Sequence, residues 1–128
     1  MKQEEITKIV NKVYPLICAD YNSTALVDFH YNIYERLSGT KGMTGEVCAH
    51  AEYDWSTDKI YIYTSRMKCE EDIIRSLIHE CVHSNQNKEF FEAFYALDLD
   101  YSTHPYEIEA NYEELKWKKY KLNTTSIG

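Results

Sequence analysis

His79-Glu80-Cys81-Val82-His83 sets two histidines four residues apart with a glutamate directly after the first. On a helix, residues four apart differ by about 40° around the axis, so both imidazoles point at one ion. Imidazole nitrogen suits Zn²⁺. Glu80 lies about 100° from His79, beside the ion, where a carboxylate takes a proton from a bound water instead of ligating. Five His and 14 Glu in 128 residues make the chance expectation of this pentad about 0.02.

At 100° per residue, Asp72, Ser76, His79, His83 and Gln86 share one face of this helix. Ile74, Leu77, Ile78, Cys81 and Val82 lie on the other side and are expected in the core. The plainer alternative is a solvated histidine stripe on an amphipathic helix. Asp72 and Gln86 are candidate acceptors for the outer N–H of the imidazoles. A catalytic zinc keeps three protein ligands and one open position, so a third ligand is needed on another element. The candidates are Glu107, Glu109 and His104. Glu107 and Glu109 point about 200° apart, so both cannot reach one ion. Spacing alone does not choose among the three.

The elements that must position these groups follow from periodicity. Ile6, Ile9, Val10, Val13 and Ile17 recur at helical spacing, and Pro15 predicts a kink or restart. Val27–Tyr34 alternates with period two and reads as a strand. Ser38–Gly45 carries three of the four glycines and reads as a loop. Residues 46–53 and 59–64, joined by Asp54–Asp58, read as a hairpin. Acids at 70–72 open a helix running to about residue 87. A shorter helix covers 88–98, with Phe90, Phe91, Phe94 and Leu97. Pro105 suits the first position of a last helix that runs to about residue 121, followed by a frayed tail from Leu122. The order predicts one α+β domain over residues 1–128.

Composition limits the function classes. Apolar residues are 44% and charged residues 27%, which is ordinary for a globular domain. The net charge is −7, and the one basic cluster, Lys116–Lys121, follows a run of acids, so nucleic-acid binding is not expected. No apolar run reaches the ~20 residues that span a bilayer, and Met1–Glu5 opens no signal peptide. A cytoplasmic location is the expectation. Cys18, Cys48, Cys69 and Cys81 form no CxxC pair and are expected as free thiols, with Cys81 a small buried hydrophobe. His30 reads as structural, and Trp55 in the hairpin turn as packing or as a partner grip. Trp117 reads as core.

The pentad together with Pro105-Tyr106-Glu107-Ile108-Glu109-Ala110-Asn111 resembles zincin metallopeptidases of the glutamate-ligand (gluzincin) type. It is similar in particular to the compact ImmA/IrrE-type domains, which pair HExxH with a downstream E-x-x-A-N or E-x-x-A-D helix. The resemblance spans roughly residues 46–114. It implies a minimal zincin-like domain: an N-terminal helix, a small sheet with a hairpin, the HExxH helix and a C-terminal third-ligand helix. It further implies zinc on His79, His83 and Glu107, with Asn111 in support. Glu80 then acts as base and acid in hydrolysis of peptide bonds in a protein or peptide substrate. A second oxyanion donor is expected, with Tyr106, Tyr112, His50 and His104 as candidates. Such domains often carry a DNA-binding helix-turn-helix module, for which 128 residues leave no length. The rival class is a non-catalytic zincin-fold module that holds a partner protein, with a retained or purely structural zinc.

Overall fold

A computed structural model describes residues 1–38, 49–97, 99 and 102–122. Its elements are α1 (Gln3–Tyr21), β1 (Leu26–His30), α2 (Ile33–Ser38), β2 (Ala51–Asp54), β3 (Lys59–Tyr63), α3 (Glu70–Ser84), α4 (Lys88–Ala96) and α5 (Pro105–Glu114). Single 3-10 turns cover Thr64–Arg66 and Trp117–Tyr120. The fold is α+β.

α3 is the central element, packed between α1 and α5 with β2 and β3 laid across it. Its Ile73, Ile74, Leu77, Ile78 and Cys81 are fully buried against Ile6, Val13 and Ile17 of α1. Each such side chain stabilises the fold by roughly 1.5–3 kcal/mol relative to exposure. The strand order is β1-β3-β2, with β1 parallel and β2 antiparallel to β3. Val27 and Ala51 flank this arrangement opposite Ile60 and Ile62 respectively, and Phe29 also faces Ile62. One sheet face therefore carries the apolar side chains and covers α3. Among the described residues, β3 is the inner strand and β2 an edge.

Several boundaries differ from expectation, each for a local reason. α1 runs through Pro15 without a restart. Pro15 is exposed, so the helical carbonyl it leaves unpaired faces water. The expected strand over 27–34 is instead β1 followed by α2. Asn32 Oδ1 accepts from Glu35 N at 2.9 Å, a side-chain cap that starts the helix. α3 ends at Ser84, short of residue 87, because Asn87 caps α4 by accepting from Phe90 N at 3.1 Å. The last helix stops at Glu114 and continues as turns to Tyr120. In the hairpin, Asp58 takes a left-handed backbone (φ 52°) and its carboxylate accepts from Thr24 Oγ1 and Tyr53 OH, tying the turn to the start of β1. Asp and Asn tolerate that conformation better than most residues.

Ser38, the first residue of the expected loop over 38–45, is instead the end of α2; the rest of that loop, the first residues of the expected hairpin strand with Cys48, and the tail beyond Leu122 lie outside the described residues. Cys18, Cys69 and Cys81 are free. Among the described residues no helix is long and apolar enough to cross a membrane.

Candidate metal centre

α3 and α5 bring His79, His83 and Glu107 together. One ligand atom from each lies within 4.8 Å of the others, a group that can hold a metal ion. Glu107 Oε1 stands 3.1 Å from His79 Nε2 and 2.7 Å from His83 Nε2. The two rings cross edge to face, 4.8 Å between centroids. Two imidazole nitrogens converging on one anionic oxygen is a donor set that suits a borderline-soft divalent cation, which would replace the protons those contacts require.

The outer sides of the imidazoles are also held. Gln86 Nε2 donates to Tyr106 O at 3.1 Å and to Glu109 Oε1 at 2.6 Å. Those two acceptors fix the amide, so Gln86 Oε1 faces His83 Nδ1 at 2.6 Å and accepts its proton. With Nδ1 so engaged, Nε2 is the nitrogen that His83 turns toward Glu107 and would offer to a metal. On His79, Nδ1 lies 3.5 Å from Glu114 Oε2, and Arg75 Nη2 holds the other oxygen of Glu114 at 3.3 Å. Asp72 does not join this shell. Its carboxylate accepts from Lys68 N at 2.9 Å, at the start of α3.

Two of the three candidate third ligands are occupied elsewhere. Glu109 is exposed and bonded to Gln86. His104 is fully buried at the N-cap of α5; its Nδ1 accepts from Tyr106 N at 3.2 Å and its Nε2 donates to Phe91 O at 2.9 Å. Both its nitrogens are committed, so it is a structural cap. Glu107 is the candidate that reaches the histidines.

The electrostatics follow from this geometry. Burial lowers the pKa of His79, but the Glu107 and Glu114 carboxylates outweigh it and lift it to about 10. Burial likewise raises Glu107, and the two imidazoles outweigh it and hold its pKa down at about 2. Glu80 is 7% exposed, and burial raises its carboxyl despite the neighbouring histidines. Burial also pushes the Cys81 thiol up to about 12, which leaves it an inert hydrophobe.

These groups line a cleft of about 860 Å³. Its α3 side carries Ser76, His79, Glu80 and His83, and its sheet side is Ala51, Glu52 and Tyr53 of β2 with the preceding Ala49 and His50. Trp55 also lines it. Its ring packs 5.0 Å from Phe91 and 6.2 Å from His83, and Nε1 donates to Gln86 O at 3.2 Å. Trp55 is thus a packing residue that also braces His83. Trp117 packs against the core, and His30 pairs with Glu35.

Glu114 lies two helical turns beyond Glu107 and shares its face with Asn111, a signal in the spacing that by itself names no role. Tyr95 had none: it sits on α4, and only the packing of α4 on α5 brings its hydroxyl 3.2 Å from Glu107 Oε2, to which it donates. Burial and the Glu107 charge push that phenol up to about 12, so it stays a donor. Of the expected oxyanion donors, His50 lines the cleft, Tyr112 is exposed, and Tyr106 packs on Phe94. No family model matches the chain, and neither does any curated protein or solved structure.

Proposed function

We propose that this chain is a zinc-dependent metallopeptidase of minimal zincin-like build, with His79, His83 and Glu107 as the metal ligands and Glu80 as general base and acid. The observation that carries this reading is the convergence of three donor atoms from α3 and α5 beside a buried glutamate, at the wall of an open cleft. Three protein donors are the number that leaves a catalytic zinc a free position. When bound, zinc supplies Lewis acidity and lowers the pKa of a coordinated water toward ~7.

The chain's own residues supply the rest. The Glu80 carboxylate takes a proton from the attacking water and returns it to the leaving amine. Its burial, which raises its pKa, brings it nearer the neutral range where both transfers work. The β2 edge flanks the cleft with main-chain donors and acceptors to which an extended peptide can add as a further strand. Such pairing orients a peptide with little readout of its sequence. Gln86 and Glu114 hold the imidazoles in their metal-ready orientation.

The test is Glu80→Gln on zinc-loaded protein with a mixed peptide library as substrate. The expected result is about one zinc per chain retained and cleavage reduced by at least ~10²–10⁴-fold. Wild-type protein that holds zinc but cleaves nothing, or cleavage that Glu80→Gln leaves intact, overturns the peptidase reading. The first of these outcomes favours the partner-binding class.

A further inference from the structure

The two oxygens of Glu107 have separate duties. Oε1 faces both histidine Nε2 atoms, at 3.1 and 2.7 Å, whereas Oε2 accepts from the Tyr95 hydroxyl at 3.2 Å. We propose that Tyr95 is a positioning residue that restricts Glu107 to a metal through one oxygen, and so keeps a coordination position free for water or substrate. The proposal rests on the metal-centre reading above.

A free carboxylate near a cation turns readily between one-oxygen and two-oxygen contact. A donor fixed on the outer oxygen opposes that turn, because two-oxygen contact would break its hydrogen bond. Tyr95 is built to be such a donor. Its ring lies 4.4 Å from His104 and 5.3 Å from Phe91, centroid to centroid. His104 is itself locked, with Nε2 donating to Phe91 O on α4 and Nδ1 accepting from Tyr106 N on α5. The residue that caps the helix bearing Glu107 is therefore also the platform for the phenol that reaches Glu107. Tyr95 and Glu107 are positioned relative to one another by a single buried imidazole, so their contact does not depend on the metal to form. Tyr95 is not among the residues that line the cleft, and the oxygen it holds is the one turned away from both histidines. Its duty is thus on the ligand and not on the substrate.

Tyr95→Phe isolates the hydroxyl. The ring keeps its packing on His104, and since Tyr95 is 40% exposed, losing the hydroxyl leaves the fold intact. The full chain is loaded with Co²⁺, whose visible absorption is strong when it is four-coordinate and several-fold weaker when it is five-coordinate. The wild type is expected to give the strong spectrum and Tyr95→Phe the weak one, with cobalt still bound. Equal spectra in the two proteins overturn the proposal and leave the metal centre standing. A wild type that takes up no cobalt overturns both.

Discussion

Glu114 Oε2 lies 3.5 Å from His79 Nδ1, on the side of the ring opposite the Nε2 that meets Glu107. A carboxylate behind a ligating imidazole fixes the ring and raises its basicity. Arg75 Nη2, 3.3 Å from Glu114, and Glu71, 2.9 Å from Arg75 Nη1, hold that carboxylate in place. Glu114→Ala is expected to weaken zinc binding by about 10–100-fold with the helix content unchanged. Competition with a chromophoric chelator reads the affinity directly, and an unchanged value would remove Glu114 from the site.

Glu107, Glu109 and His104 were equivalent by spacing, and the structure gives them three different jobs. Glu107→Ala is expected to abolish stoichiometric zinc. Glu109→Ala is expected to keep zinc, since Glu109 touches the site only through Gln86. His104→Ala is expected to cost stability instead, about 3 kcal/mol, because it strips partners from Phe91 O and Tyr106 N in a buried setting. Metal content by mass spectrometry and urea denaturation on the three variants check this division. Zinc lost from Glu109→Ala but kept in Glu107→Ala would reverse the ligand assignment.

What was legible in the sequence was what a single element encodes. The apolar stripe of α3 and its polar histidine face are both properties of one helix, and Ile74, Leu77, Ile78 and Cys81 are buried as their spacing requires. The same holds for Ile6, Val13 and Ile17 on α1. Gln86 was readable as a histidine partner because it continues the face of His79 and His83. The shortfalls lie where two elements meet. No helical period relates Tyr95 on α4 to Glu107 on α5, and the choice of Glu107 over His104 depends on how α5 begins. In the segment 27–34, alternating aromatic residues masked a boundary that Asn32 and Glu35 mark by capping. Pro15 misled in the opposite sense, because its cost depends on which side of the helix faces water.

Glu80 sits where function and stability oppose each other. Burial raises its folded pKa above the ordinary value, so the folded protein loses stability as pH rises past the ordinary carboxylate range. Glu80→Gln removes that cost while keeping the shape. The variant is expected to be more stable than wild type at pH 7 while losing turnover. Paired urea melts of the metal-free proteins test this, and a less stable variant would show that the Glu80 charge is well compensated in the fold.

The His79–Glu107 pair adds two opposed pH dependences to the metal-free protein. Glu107 has its folded pKa lowered from 4.5 to about 2, so its contribution to stability is fully present above about 4.5 and is lost as pH falls toward 2. His79 has its folded pKa raised from 6.5 to about 10, so its contribution is fully present below about 6.5 and is lost as pH rises toward 10. For this pair the plateau therefore lies between about 4.5 and 6.5. Zinc competes with the same proton. The Glu107 and Glu114 carboxylates favour the protonated His79 in the metal-free protein, so zinc uptake is expected to release a proton and its affinity to rise with pH. Calorimetric titration in two buffers of different ionisation enthalpy measures that release. Heats that agree between the buffers at pH 7 would show that His79 is already neutral there, and that Glu107 and Glu114 do not hold its proton.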